Sequence, residues 1–191
     1  NRILSRQELE PHLFSLKQQP FAIPYVTSYY QRNWGFCISH NQRLKLGEGP
    51  FRVFIDSKHF NGHMNYGELI IPGKIKKEIL LSTNICHPSL ANNELSGPII
   101  LAALSRFIKT KLSNRLTYRI LFLPETIGSI YYLSRNLKRL KKNVVAGWTL
   151  TCLGDDSEFS YLPSRSGETL ADRVSKLALN ELDSFRTYSW L

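Results

Sequence analysis

The stretch EILLSTNICHPSLANNELSG, residues 78–97, decides the fold of this chain. Residues 79–83 are mostly aliphatic and lack helical spacing, which is typical of a short strand buried on both faces. Residues 84–97 form a polar turn, and Ser96 and Pro98 suit the start of a helix. Apolar residues then recur at helical spacing: Ile99, Ile100, Ala103, Leu104, Phe107 and Ile108. The turn therefore joins a strand to the amino end of a helix, where ligands collect in open α/β sheets.

Beyond this turn, apolar segments of the strand type alternate with amphipathic segments of the helix type. After a helix at about 97–111 we expect a strand at 117–123, a helix at about 128–141, a strand at about 144–152 and a helix at about 167–181. Such alternation predicts parallel strands covered by helices. The carboxyl ends of these strands then lie at the same edge of one sheet.

The first 75 residues have a different character. Residues 1–18 predict a short helix with an apolar side formed by Leu9, Leu13 and Leu16. Aromatic and β-branched segments then predict short strands within residues 21–30, 34–38 and 51–56. We therefore expect a small β-rich domain over residues 1–75 and an α/β domain over residues 76–191.

Composition limits the class of protein. With 191 residues, 42% of them hydrophobic, the chain can bury one good core. No apolar run reaches the roughly 20 residues that span a bilayer, so we expect no membrane partner and a cytoplasmic location. Three widely separated cysteines, Cys37, Cys86 and Cys152, predict no disulfide framework. Cys86 beside His87 is either a metal ligand or a small buried side chain.

The formal net charge of +10 is large for this length and can attract nucleic acid, anionic lipid or acidic polysaccharide. The densest basic clusters are residues 74–77 and 135–142. The second has leucines at helical spacing among its basic residues, which is also typical of a solvated helix face. Three aromatic residues near Arg32 offer a stacking surface, although aromatic residues at this density more often pack in a core: Tyr29, Tyr30 and Trp34.

His87, Glu125 and Asp155 or Asp156 each follow a predicted strand, so a parallel sheet would bring them to one edge. Imidazole and carboxylate groups in one place are typical of a zinc hydrolase, in which a further carboxylate accepts a proton from water. Each residue also has a structural alternative. His87 can hydrogen-bond a neighbouring carbonyl, Glu125 can cap the following helix, and the two aspartates can form a turn.

Several segments resemble one bacterial protein family. CHPSLANNELSG (residues 86–97) closely resembles the CHPSLANDNLSG signature of aminopeptidase-like proteins with the domain of unknown function DUF4910, which are relatives of the zinc-dependent M28 peptidases. PETIGS (124–129) and TCLGD (151–155) are similar to further motifs of that family. The early segments 23–30 and 34–37 resemble the small β domain, DUF2172, that is inserted in it.

The resemblance implies a peptidase-like domain that binds zinc through His87 and the residue at position 93, with Glu125 as the general base. Asp155 lies where related peptidases place another metal ligand. The predicted fold class is therefore α/β: a partial three-layer peptidase-like domain with a mostly parallel sheet, plus the small β-rich domain.

Two departures from the family pattern limit what the resemblance implies. This chain has Asn93 where the family has Asp, and an amide brings neither charge nor a strong zinc ligand. Glu94 beside it is a candidate substitute, although its side chain is longer and starts from a different Cα. The family's chains are also longer, so this chain resembles a middle section. Missing strands would expose a sheet edge that invites formation of a homo-oligomer.

The sequence therefore predicts a zinc-dependent aminopeptidase-like hydrolase of peptide or amide bonds, weakened by Asn93. Its expected partners are a peptide or amide substrate and a second copy of the chain, whereas nucleic acid is disfavoured. The alternative is a peptidase-like scaffold without catalysis, whose basic surface binds an anionic polysaccharide or nucleic acid. The salt dependence of binding distinguishes the scaffold from the hydrolase, because contacts made through Lys and Arg weaken as ionic strength rises.

Overall fold

The computed structural model describes residues 1–26, 31–87, 90–111 and 113–190. The chain divides into two compact units, Asn1–Asn61 and Gly62–Leu191. This division lies earlier than the boundary expected at residue 75, because strand Gly67–Ile71 belongs to the sheet of the second unit. No helix among the described residues is both long and apolar enough to cross a membrane.

The first unit contains these short elements: β1 (Arg2–Leu4), α1 (Arg6–Leu9), β2 (Leu13–Phe14), β3 (Phe36–Cys37), α2 (His40–Lys45) and β4 (Phe51–Val53). β1 pairs antiparallel with β4, and β2 pairs parallel with β3. Leu9, Leu13 and Val53 form the buried core of this unit. Within the strand expected over 21–30, residues 21–26 are not in a strand, and residues 27–30 lie outside the described residues.

The single helix expected over residues 1–18 is wrong. Ser5 caps α1 and accepts a hydrogen bond from its first turn, so the helix begins only after Ser5. Pro11 has no N–H to continue the α-helical hydrogen bonds, and the chain passes through one 3₁₀ turn into β2. The leucine spacing has a tertiary cause, because Leu9 from the helix and Leu13 from the strand enter the same core.

The second unit is built around a four-stranded sheet. Its elements are β5 (Gly67–Ile71), β6 (Ile75–Asn84), α3 (Gly97–Lys111), β7 (Leu116–Leu123), α4 (Ile127–Asn143), β8 (Val144–Leu150), β9 (Phe159–Tyr161), α5 (Leu170–Leu179) and β10 (Phe185–Thr187). The strand order is β5-β7-β6-β8, in which β6, β7 and β8 are parallel and β5 is antiparallel to β7. β9 and β10 form a separate parallel pair. The expected α/β class with a mostly parallel sheet is confirmed.

Helices cover both faces of this sheet. The neighbouring residues Ile120 and Leu121 on β7 point to opposite faces, and both are fully buried. Ile120 packs in one cluster with Leu101 of α3, whereas Leu121 packs in another with Tyr132 of α4. α5 packs against β8, at the edge of the sheet. The sheet therefore holds its strand ends between two helical layers.

A buried ion-pair network ties three strands to α4. Arg119 on β7 donates from Nε to Glu78 Oε2 at 2.6 Å and from Nη2 to Glu78 Oε1 at 2.9 Å. Arg119 also pairs with Glu68 on β5, and Tyr132 on α4 donates to the same Glu68 carboxylate. Arg119 is 4% exposed and Glu78 is 5% exposed. The hydrogen bonds to Glu78 hold the pKa of Arg119 above its usual range, so the guanidinium stays charged.

The junction between β6 and α3 differs from the simple cap expected at Ser96. A π-helical turn, Asn92–Ser96, runs directly into α3, and the Ser96 hydroxyl donates to a backbone carbonyl inside this turn. Gly97 lets the turn pack onto the sheet, because a Cβ at this position would overlap Thr83 Oγ1 and the Leu150 carbonyl. The expected cap at Ser96 is therefore wrong, since the helical conformation begins before it.

Candidate metal centre

Two neighbouring parallel strands carry site residues to one edge of the sheet. β6 and β7 end in register, and the pairing continues one residue further, because the Ile85 N–H donates to the Leu123 carbonyl at 3.0 Å. Cys86 and His87 follow β6, and Glu125 follows β7. The two strand ends thus place these three residues side by side, as the parallel order predicts.

Four side chains, Cys86, His87, Glu94 and Glu125, form a compact cluster of metal-ligand type. One ligand atom from each residue lies within 4.8 Å of the other three. His87 Nδ1 lies 2.9 Å from Glu94 Oε1 and 3.2 Å from Cys86 Sγ. The same nitrogen lies 3.6 Å from Glu125 Oε2. His87 and Glu94 are buried while the Glu125 side chain is 43% exposed, so the cluster has a closed side and an open side.

Glu94 reaches the cluster from the π-helical turn. Its backbone N–H donates to the Leu90 carbonyl at 2.9 Å, and its carboxylate accepts a hydrogen bond from the Cys86 backbone N–H. Burial alone would raise the pKa of Glu94, but hydrogen bonds from the Cys86 amide and from His87 outweigh it and lower the pKa. Glu94 is therefore an anion at neutral pH, although it is only 7% exposed.

Cys86 faces the same cluster, and the Glu125 backbone N–H donates to its Sγ at 3.1 Å. Burial raises the pKa of the Cys86 thiol, and the charges of Glu94 and Glu125 raise it further. The Glu125 N–H opposes this effect only in part. The two carboxylates thus favour the neutral thiol, whereas a bound divalent cation would favour the thiolate.

The donor set fits a zinc ion. Zinc binds thiolate, imidazole and carboxylate groups, and a tetrahedral site with bonds of about 2.1 Å places neighbouring donor atoms about 3.4 Å apart. His87 Nδ1 lies 2.9 Å from Glu94 Oε1 and 3.2 Å from Cys86 Sγ. Cys86 Sγ lies 3.7 Å from Glu94 Oε1. A thiolate and an imidazole among the donors also favour zinc over magnesium or calcium, which prefer oxygen ligands.

Of the residues predicted for the site, His87 and Glu125 lie together, whereas Asn93 contacts a different strand. Asn93 Oδ1 accepts a hydrogen bond at 2.9 Å from the hydroxyl of Thr151, which follows β8. The side chain of Asn93 therefore helps to hold the π-helical turn against the end of β8. A role for Asn93 as a metal ligand stays a prediction.

Asp155 is exposed and lies outside the four-residue cluster. It accepts a hydrogen bond from Asn92 Nδ2 at 2.7 Å, and Asn92 Oδ1 in turn accepts one from the Gly154 N–H at 2.7 Å. Hydrogen bonds from Ser157 lower the pKa of Asp155. These contacts tie the loop after β8 to the π-helical turn, and a metal-ligand role for Asp155 also stays a prediction.

The sequence pattern makes Glu94 and Cys86 candidates for the site but assigns neither of them to it. Glu94 is considered there only as a substitute for Asn93, and Cys86 only as an alternative to a buried side chain. In the structure Glu94, and not Asn93, lies beside His87, because the wider i→i+5 bonding of the π-helical turn changes which side chains face the strand ends. Spacing alone gives no signal for such a turn, so the choice between Asn93 and Glu94 needs the structure.

Thr126 has an unusual backbone conformation directly after Glu125. Its φ of 58° and ψ of −71° are sparsely populated by β-branched residues. Such conformations cost on the order of 1–3 kcal/mol and concentrate at functional sites. At this turn the backbone N–H of Glu125 reaches Cys86 while the Glu125 side chain reaches His87. The strained residue therefore directly follows a residue whose backbone and side chain both contact the cluster.

Known proteins match both the sequence and the fold. The family described as "Domain of unknown function (DUF4910)" matches residues 19–191. A Clostridium acetobutylicum protein named "Putative polysaccharide biosynthesis protein with aminopeptidase-like domain" is 38% identical over 179 residues, which cover 94% of this chain and 41% of that protein. A crystal structure of a "putative peptidase" from Clostridium acetobutylicum matches with a TM-score of 0.86 at 37% identity. That match covers 100% of this chain and 45% of that chain.

The chain thus spans less than half the length of these two relatives. Their names describe an aminopeptidase-like domain and a peptidase, which agrees with a polar site at the carboxyl edge of a parallel sheet. The family match covers most of the chain, and it confirms the resemblance carried by the residues around His87 and Glu125. The chain belongs to the DUF4910 family.

Proposed function

We propose that this chain carries the metal centre of a zinc-dependent, aminopeptidase-like hydrolase of peptide or amide bonds, of the M28 type. The observation that carries the proposal is the cluster of Cys86, His87, Glu94 and Glu125 at the carboxyl edge of two parallel strands. The names of two relatives support the class of reaction.

Cys86, His87 and Glu94 would hold the ion from the closed side of the cluster. Metal binding needs the lone pair of His87 Nδ1, so the hydrogen bond between this nitrogen and Glu94 would be replaced by binding of both groups to the ion. The hydrogen bond from the Cys86 N–H would still orient the Glu94 carboxylate. When bound, zinc supplies a Lewis acid that polarises a carbonyl and makes water more acidic.

Glu125 would act as the general base. Its side chain is 43% exposed on the open side of the cluster, where a substrate and a water molecule can approach. A carboxylate there would accept the proton of the attacking water and then give it to the leaving amine. Glu94 is unsuited to this role, because it is buried and its carboxylate is occupied by Cys86 and His87.

Hydrolysis of aminoacyl p-nitroanilides by the zinc-loaded protein tests this assignment. Glu125→Gln should lower turnover by at least about 100-fold, the usual contribution of a positioned acid or base, while zinc content stays unchanged. The control Glu181→Gln alters an exposed carboxylate elsewhere and should keep the parent turnover. Equal turnover of Glu125→Gln and the parent protein would exclude Glu125 as the base.

A peptidase-like scaffold that binds an anionic partner without catalysis is the second candidate. The net charge of +10 favours an anionic partner, and the name of one relative favours a polysaccharide over nucleic acid. Zinc-loaded protein that hydrolyses no amide, yet binds an acidic polysaccharide with steep salt dependence, would favour this candidate.

A further inference from the structure

A cavity in the first unit has the features of a site for a small ligand. Its volume is about 270 Å³, and its lining includes Arg2, Arg32, Asn33, Trp34, Val53 and His59. A second, wider recess of about 550 Å³ shares Arg32 and His59 with this cavity and adds Lys58. The two spaces together form a basic trough within residues 1–61 that the proposed hydrolysis does not use.

The pairing of β1 with β4 fixes one wall of the cavity. Arg2 lies directly opposite Val53 in the antiparallel ladder, and directly opposite residues project from the same face. Val53 is buried in the core of the unit, so this wall has a rigid apolar base. Arg2 and Val53 therefore lie side by side in the lining of the cavity.

Trp34 supplies a fixed aromatic surface. Its ring stacks on His12 with ring centroids 3.6 Å apart and an interplanar angle of 18°. His12 Nδ1 lies 3.0 Å from the Trp34 carbonyl oxygen, and Phe36 contacts the indole edge-on at 6.2 Å. An aromatic ring that is already held in place loses little entropy when a ligand packs on it.

The described lining of the trough carries positive charge and no carboxylate. None of the described residues that line either space is Asp or Glu. Within the described part of the chain, neither Arg2 nor Arg32 has a carboxylate partner, and residues 27–30 contain no carboxylate. Guanidinium groups without a carboxylate partner attract anions, and two N–H groups of one guanidinium can donate to the two oxygens of one carboxylate.

We propose that this cavity binds one unit of an acidic saccharide. The carboxylate of the sugar would lie on Arg2 and Arg32, and one apolar face of its ring would pack on Trp34. Asn33 would donate to a ring hydroxyl, and Lys58 in the wider recess would meet the next acidic unit. A volume of about 270 Å³ lies just below the roughly 300 Å³ at which pockets for drug-sized ligands begin, so it suits a single sugar ring.

Titration calorimetry with a tetramer of galacturonate tests the proposal on the full chain. Arg32→Gln should weaken binding at least tenfold, and adding Arg2→Gln should abolish it, because both exposed side chains lie outside the core. The control Lys45→Gln removes one exposed charge away from the cavity and should keep Kd within twofold. His87→Ala should also keep Kd within twofold, which separates this site from the metal centre.

Three results would overturn the proposal. Equal binding by Arg32→Gln and Lys45→Gln would mean that general surface charge holds the tetramer. Equal binding of a neutral glucose tetramer would remove the role of the carboxylate. Displacement of the tetramer by inorganic phosphate at equal concentration would assign the cavity to a free anion and not to a saccharide.

Discussion

Replacing Arg119 with methionine tests the buried network that ties three strands to α4. Arg119→Met removes two hydrogen bonds to Glu78 and leaves this carboxylate, which is only 5% exposed, without a cation. Breaking a buried ion pair by removing one partner costs about 3–5 kcal/mol. Glu68 keeps the hydrogen bond from Tyr132, so we expect a loss of about 3 kcal/mol. For a chain of this size such a loss lowers Tm by about 10 °C.

Urea unfolding followed by far-UV circular dichroism measures this loss. The control Arg186→Met breaks an ion pair of similar length, 2.8 Å to Glu158, but Arg186 is 69% exposed. An exposed pair contributes about 0–1 kcal/mol, so the control should unfold almost like the parent protein. Adding Glu78→Gln to Arg119→Met should recover part of the loss, because it removes the uncompensated charge. If the free energy of unfolding of Arg119→Met lay within about 1 kcal/mol of the parent value, the buried Glu78 carboxylate would not depend on Arg119, and the reasoning would be refuted.

Two further substitutions test close packing and a titrating carboxylate. Gly97→Ala should destabilise the second unit by about 1–3 kcal/mol in urea unfolding, because the added Cβ overlaps Thr83 and Leu150. The control Gly47→Ala places its Cβ in open space and should change the free energy of unfolding by less than about 0.5 kcal/mol. Equal stability of these two variants would contradict the close approach. Hydrogen bonds from Ser164 and Thr169 lower the pKa of Asp172, so its stabilising effect is complete above the unfolded pKa of about 3.9 and is lost as pH falls below it. In acid unfolding Asp172→Asn should be less stable than the parent near pH 7 and approach it in strong acid, and a constant difference across pH would contradict this.

The alternating strands and helices of the second unit are predictable from sequence, because the spacing of apolar residues that marks each element is local. The helix expected at 97–111 is observed as Gly97–Lys111, and the strand expected at 117–123 is observed as Leu116–Leu123. A strand buried on both faces and a helix with one apolar side differ in period, so short windows distinguish them. The parallel order also places His87 and Glu125 at one edge, because this inference needs only the order of the elements.

Which side chains enter the cluster depends on the rotation of the chain in the turn after β6, and the order of the strands does not determine it. Asn93 and Glu94 are neighbours, and the π-helical turn decides that Glu94 lies beside His87 while Asn93 accepts a hydrogen bond from Thr151. One residue of difference in a turn rotates each following side chain by about 100°. No periodic pattern in the sequence reports such a turn, and the family pattern at position 93 points to the other residue.

The first unit is poorly predicted because its strands are two or three residues long. Leu13 pairs with Phe36, and Arg2 pairs with Val53, across long stretches of chain. Pairings of this kind are selected by tertiary packing, which overrides local preference in short segments. The helix expected over residues 1–18 fails for the same reason: Leu9 and Leu13 pack with Val53 from a distant strand, whereas Leu16 is exposed.

Zinc content per chain is the measurement that tests the metal centre most directly. Elemental analysis after dialysis should give close to one zinc per chain for the parent protein and little for His87→Ala or Glu94→Gln. The matched control His63→Ala alters an exposed histidine and should keep its zinc. Asn93→Asp should bind zinc no better than the parent, because this side chain contacts Thr151. Zinc that is retained in Glu94→Gln, or that appears only in Asn93→Asp, would contradict a centre built on Cys86, His87 and Glu94.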